Sequence, residues 1–538
     1  MISVSNQFKD AVYAPIRKTS AVVTFEILDE ESYEDNTITV SSEAEISKAA
    51  QITNKVRNMR FNYGTFEQDY FKLDGSFRIP PVPGEDDESE FGWWSNELSD
   101  ETGVFIQNQI VELTFSTVHT AAGLTIIFNQ NTNEYATDFD IDVYNNVDGL
   151  ILHRTVTDNI LPVFVFEESI DEYKRIVITI KKWSHPFRRA KIAEVDFGII
   201  REYTDETLIN LSILEELNII NDTIPSNELK FSVDNSDRAF NILNPTGIYR
   251  FLKERQTVNV MIGVEITENN FEYVNAGTYY LSEWQSDEGA LITNFTAKDI
   301  FEFLESEDYV SILNTNLYDL TVDLFNKVGI KHYNIDKSLV DVPVNGFLEK
   351  INARTALQHI GIAGTCVVYQ DRNKFVNVKK LSLLDEGTSY LSFVGNDFCG
   401  AVYPAVESGF DMRNITFDNV FQEPQITLDK QVKTVEIEMG ESVVVVNDPN
   451  VKNGSTLKVS NPLITTAAHA QVVGQWILNE SQLRALYVVD WRQNPALECG
   501  DIVVIEDSFG GKKQSRIVKQ EFNYEGFLSG KTETKGGV

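Results

Sequence analysis

Thr137-Asp138-Phe139-Asp140-Ile141-Asp142-Val143 alternates acidic and apolar residues. In an extended chain such alternation makes one face hydrophobic and the other charged, which predicts a half-buried strand. The same texture recurs on both sides. Gln109 to Phe115, Leu124 to Phe128, Leu150 to His153, Ile160 to Phe166, Arg175 to Ile180 and Lys191 to Phe197 are short strand-like runs separated by turns. Many short strands packed into roughly a hundred residues predict a β-sandwich or jelly roll over 81–198.

Upstream, Ala21 to Leu28 and Asn36 to Val40 read as further strands, and Asp74-Gly75 as a turn. Pro80-Pro81-Val82-Pro83-Gly84 followed by Glu85-Asp86-Asp87-Glu88 joins missing backbone donors to a self-repelling charge run, which predicts a surface linker. Downstream, Leu208 to Leu214, Leu229 to Val233, Thr257 to Ile266, Gly277 to Trp284 and Ala290 to Ala297 predict a second β-domain.

Helical spacing enters only later. Leu317, Leu320, Leu324 and Val328 follow a capping Asn316 and stop at Gly329, while Ala353, Ala356, Leu357 and Ile360 mark a second helix. A hairpin turning at Asp371-Arg372-Asn373 completes a small α+β module. A helix from Thr465 to about Asn479 is expected to bury Ala468, Val472, Trp476 and Ile477, and the chain closes in strands. The expected fold is mainly β and multidomain. Its layout is a first tube-like β-barrel at 1–80 plus 199–304, the jelly roll at 81–198, the α+β module at 305–395, and a second tube-like β-barrel at 396–538.

Charge narrows the functional classes. Asp and Glu total 81 against 46 Lys and Arg, a net charge of -35. Such a surface repels phosphate, which argues against sequence-specific nucleic-acid binding and against anionic membranes. Acidity serves solubility, and it would also keep DNA from sticking in a passage. The start, MISVSNQFKD, lacks the apolar core of a signal peptide, so synthesis in the cytoplasm and no membrane anchor are expected.

No pattern for catalysis stands out. Cys366, Cys399 and Cys499 lack the spacing of a disulfide framework or a zinc site, and the six histidines lack an HExxH-type arrangement. Nucleophile-elbow, Walker and dinucleotide glycine signatures are absent. No catalytic residue, cofactor or metal ligand is assigned. Asp138, Asp140 and Asp142 could share a calcium-binding face, but without an EF-hand framework they read better as an exposed polar face. Trp93, Trp94 and Trp183 are the candidate carbohydrate contacts, because an aromatic face stacks on a sugar ring; the competing reading places them in the core.

A resemblance sharpens this outline. Asn227-Glu228-Leu229-Lys230-Phe231-Ser232-Val233-Asp234-Asn235, Arg238-Ala239-Phe240-Asn241, Tyr249-Arg250-Phe251-Leu252, Gly277-Thr278-Tyr279-Tyr280-Leu281-Ser282-Glu283-Trp284 and Ala297-Lys298-Asp299 resemble phage tail and prophage baseplate hub proteins. Thr65-Phe66-Glu67 with Leu73-Asp74-Gly75-Ser76, Gln370-Asp371-Arg372-Asn373, Asn494-Pro495-Ala496-Leu497-Glu498-Cys499-Gly500-Asp501-Ile502-Val503 and Gly526-Phe527-Leu528-Ser529-Gly530 follow in the family's order. Residues 91–198 resemble the galactose-binding-like jelly rolls of carbohydrate-binding modules, through Trp183-Ser184 and Lys191 to Gly198.

The resemblance implies a non-enzymatic baseplate hub in the tail tip of a virion. It would be a homotrimeric ring joining the tail tube to the tip or spike. Implied partners are further copies of the chain, the tail tube or distal tail protein, the spike or tip protein, and host cell-wall glycan through the jelly roll, with DNA only as passing cargo. The alternative is a receptor-binding tail protein that recognises cell-wall carbohydrate.

Overall fold

Alternation along the strands decides what is buried, and the computed structural model shows how. It describes residues 1–57, 59, 61–80, 90–245, 247–286, 291–381, 414–440, 442–506 and 512–537. The linker stretch from Pro81 to Glu88, Cys399 and the Gly510-Gly511 pair lie outside the described residues. The protein is mainly β and multidomain. It divides into two units, residues 24–202 with 236–256, and residues 1–23, 203–235 and 257–538.

The first unit is a sandwich. Its five-stranded antiparallel sheet runs in the order Asn36–Val40, Val104–Ala121, Ile170–Trp183, Ala136–Tyr144, Leu150–Val156. A three-stranded sheet of Val163–Phe166, Leu124–Ile127 and Glu194–Asp196 contributes to the same core. Phe139, Ile141 and Val143 of the opening heptapeptide point inward and are fully buried beside Val111, Ile178 and Ile126. Each such side chain contributes about 1.5–3 kcal/mol on burial. Asp138, Asp140 and Asp142 alternate to the more open face, as the period requires.

The second unit is built on a long antiparallel path. Thr257–Thr267, Asn270–Gln285, Ile292–Lys298, Glu228–Asp234 and Leu208–Glu216 follow one another as hydrogen-bonded neighbours. Lys512–Tyr524, Leu528–Gly536, Ala485–Trp491 and Gln425–Leu428 continue it. Two strand sets far apart in sequence are joined at one seam, where Leu211 to Glu216 pairs with Tyr524 to Lys519.

Helices Leu317–Lys327 and Ala353–Gly364 start at Asn316 and Asn352, whose side chains accept from the amides of Asp319 and Thr355. Together with Val367–Gln370 and Val376–Lys379 they enclose Leu320, Leu324, Leu357 and Ile360. The same core takes in Val435, Ile437 and Val446 and the helix Ala467–Ser481. The expected facing holds only in part: Ile477 is buried and Trp476 packs half-buried against the core, but the rest of the expected stripe is not. Ala470, Val473 and Ile477 are buried, whereas Ala468 and Val472 are exposed. Gly474 is the physical reason: it lets the helix approach so closely that a Cβ there would lie 2.5 Å from Val446 Cγ2.

Candidate functional site

In the second unit, the hairpin turn at Asp371-Arg372-Asn373 delivers a buried arginine to the seam strand. Arg372 Nε and Nη2 donate to the two oxygens of Glu215, at 2.6 and 3.0 Å. Its Nη1 donates to the carbonyl of Pro495 at 2.5 Å and its Nη2 to that of Leu497 at 2.8 Å. Burial works against the charged guanidinium, but Glu215 outweighs it, and the arginine's pKa rises. This is a bidentate, charge-assisted pair with its remaining donors on backbone oxygens.

Neighbouring contacts tie further elements to the same turn. Gln370 Oε1 accepts from the Ile300 amide at 3.0 Å, and its Nε2 donates to the Thr278 carbonyl at 2.8 Å. Asn275 Nδ2 donates to the Arg372 carbonyl at 2.8 Å. Asp299 caps the short helix Ile300–Leu304 and accepts from Ser226 Oγ and the amides of Asn227 and Phe301. Burial pushes its carboxyl up to about 7.

Beside this junction lies a cleft of about 530 Å3, lined by Glu215, Glu216, Asp299, Asp371, Glu498 and Asp501 among others. The Met1 ammonium sits against Asp501 at 2.5 Å and Glu498 at 3.4 Å. Cys499 also faces the cleft, but burial first and then Glu215 push its thiol well up, so it stays protonated and a poor nucleophile. What the arrangement does chemically is fasten elements together.

In the sandwich unit, the three candidate tryptophans are 0%, 1% and 1% exposed (Trp93, Trp94, Trp183). Trp93 Nε1 donates to the Ser42 carbonyl and Trp94 Nε1 to that of Phe91, while Trp183 meets Phe128 edge-on. As placed, none presents a free face to solvent, and they belong to separate clusters: Trp93 and Trp183 in the main core, Trp94 beside Tyr70 and Ile127. Of the acidic triplet, Asp140 pairs with Lys181 at 2.6 Å, Asp142 with His153 at 2.6 Å, and Asp138 accepts from the Asp158 amide. Among the described residues, no group of three or more His, Cys, Asp or Glu could hold a metal ion.

Sequence reasoning missed three buried ionic clusters of this unit. Lys191 Nζ lies 2.8 Å from both Glu67 and Glu134, and Arg188 reaches Glu134 at 3.0 Å. Arg57 spans Glu26 and Asp196 at 2.6 and 2.8 Å, and Glu194 accepts from the amides of Lys55 and Arg57. His119 stands between Asp29 and Asp35, at 3.0 and 2.8 Å. The one available signal was Thr65-Phe66-Glu67, a stretch marked by its resemblance and not by its chemistry.

No family model matches the chain, and neither does any curated protein. Among solved structures, the chain is similar to the tail protein from Neisseria meningitidis MC58, at 12% identity, covering 62% of this chain and 93% of that one, with a TM-score of 0.43. It is also similar to the 43 kDa tail protein of prophage MuSo2 from Shewanella oneidensis, at 13% identity, 62% and 94% coverage, and a TM-score of 0.41. A family 32 carbohydrate-binding module from C. perfringens NanJ, solved in complex with galactose, is similar at 16% identity over 33% of this chain and 99% of its own, with a TM-score of 0.21.

Proposed function

We propose that this chain is a non-enzymatic structural protein of a phage or phage-like tail, acting as the hub ring that joins the tail tube to the tip or spike. The Arg372 junction carries the reading. Stretches chosen for resemblance to tail hubs meet there: Gln370 to Asn373 with the carbonyls of Pro495 and Leu497 from Asn494 to Val503 and of Thr278 from Gly277 to Trp284. Motifs that meet around a buried ion pair, beside a cleft with no activated nucleophile, suit a scaffold that must keep its shape under load.

In this reading three copies form the ring. The neighbours are the tail tube or distal tail protein and the spike or tip protein, and DNA is passing cargo. Glycan contact through the sandwich would have to use surfaces other than Trp93, Trp94 and Trp183, since these are buried. Mass photometry of the full chain across rising concentration tests the reading. A ring of defined stoichiometry is expected, and a chain that stays monomeric even with tail-tube and tip proteins present overturns it.

A further inference from the structure

In the first unit, the loop 236–256 holds two neighbouring apolar side chains in water: Ile242 is 58% exposed and Leu243 65%. The backbone that carries them is well braced. The Leu243 amide donates to Asn241 Oδ1 at 2.9 Å, and Asn244 Nδ2 donates to the Arg238 carbonyl at 2.9 Å. The Ala239 amide donates to Asp237 Oδ1 at 3.0 Å, and the Ile248 amide closes the loop on the Ala239 carbonyl at 2.8 Å. Phe240, Ile248 and Phe251 of the same loop are buried and fix it from below. A turn ordered in advance loses little entropy when something covers it, so burial of Ile242 and Leu243 would show almost in full as affinity.

Charge says what covers it. The loop carries Arg238, Arg250, Lys253 and Arg255 against Asp237 and Glu254, four bases to two acids, so it stands at +2 in a chain of net charge -35. All four basic side chains are exposed. Arg250 meets Asp171 at 3.2 Å and Lys253 meets Asp29 at 3.4 Å, both from the sandwich of the same unit. An apolar centre among arginines is the composition of a protein–protein contact, and its complement is an acidic protein surface. A nucleic acid fits less well. Phosphates offer Ile242 and Leu243 nothing to bury against, and the chain as a whole repels a polyanion.

We propose that the loop 236–256 of one copy docks on the acidic surface of a second copy, with Ile242 and Leu243 at the centre of the contact and the four basic side chains facing carboxylates around it. The inference rests on the ring reading and assigns one face of the contact between copies. A basic loop and an acidic surface are different patches, so the contact is head to tail, the type that closes into a ring when the rotation per copy allows.

The test uses the full chain, Leu243→Glu, the double variant Arg238→Glu with Arg255→Glu, and Val472→Glu as a control that adds the same charge at an apolar side chain 61% exposed elsewhere. Each is checked for folding by circular dichroism and then followed by mass photometry. Leu243→Glu and the double arginine variant should each weaken self-association roughly tenfold or more, and Val472→Glu should leave it unchanged. Added salt should weaken the wild-type contact, because screening shortens the reach of its charges. Wild-type-like rings from Leu243→Glu, or an equal loss from Val472→Glu, overturn the docking contact and leave the hub reading standing. The contact also falls if the loop variants ring normally but lose a retardation of duplex DNA that the wild type shows, which would make the loop a DNA contact. A wild-type chain that never self-associates overturns both.

Discussion

Arg372 and Glu215 are both buried, so neither can fall back on water if the other is lost. Removing one partner of such a pair costs about 3–5 kcal/mol, because a charge is left stranded, whereas replacing both with apolar residues is often close to neutral. Arg372→Met should therefore lower the thermal unfolding midpoint substantially, and Arg372→Met combined with Glu215→Leu should recover most of the loss. Calorimetry of the two variants beside the wild type checks this. The sequence exposed Arg372 only as a turn residue. Its partner lies 157 positions away, and no local pattern reports a pairing at that distance.

Glu194 makes a second residue-scale prediction, in pH. Burial, then the neighbouring Asp196, push its carboxyl up from an ordinary 4.5 to about 8. The folded state thus holds a proton that the unfolded state has already released. Stability must fall as pH rises from about 4.5 through about 8. Glu194→Gln, which imitates the protonated form, should melt above the wild type near pH 9. That gap should close toward about pH 5, and a gap constant with pH would contradict the assignment.

At the scale of elements, the cap-and-spacing helices were legible. Asn316 and Asn352 stand at the helix starts, and the apolar positions that follow are the buried ones. Strand alternation was equally readable from Thr137 to Val143, where inward and outward residues fall as the period dictates. The helix Ala467–Ser481 was readable as a helix but not in its facing. Ile477 and the half-buried Trp476 face the core as expected, whereas Ala470 and Val473 take the inward places expected of Ala468 and Val472, a small rotation that apolar spacing alone could not choose. Close approach at Gly474 decides that rotation. Gly474→Leu should therefore cost about 1–3 kcal/mol by overpacking against Val446, while an equivalent change at exposed Val472 should cost little. Denaturation of the two variants in parallel makes the comparison. The tryptophans were illegible for a related reason, since core and rim aromatics share one composition, and only burial tells them apart.

At the scale of the whole molecule, composition was informative about charge in total but not about where it lies. Register across the seam places Lys298, Glu228, Leu214, Glu521, Lys531 and Asp490 side by side on adjacent strands. Residues directly opposite on antiparallel strands share a face, so this row sets two positive charges against three negative ones. The excess of acid expressed by the net charge of -35 is not gathered there. Other surfaces carry it.

The seam also has a consequence in time. Ser212 Oγ donates to Asn523 Oδ1 across 311 positions of sequence. At about 5–20 residues per second, a ribosome needs roughly 15–60 s to travel that far. Throughout that interval the strand Leu208–Glu216 is made but has no neighbour on the side that Lys512–Tyr524 will occupy, leaving a row of unpaired amides and carbonyls open to any passing strand. A nascent chain of this protein must be shielded during those seconds, by slow collapse of its own earlier strands or by a chaperone.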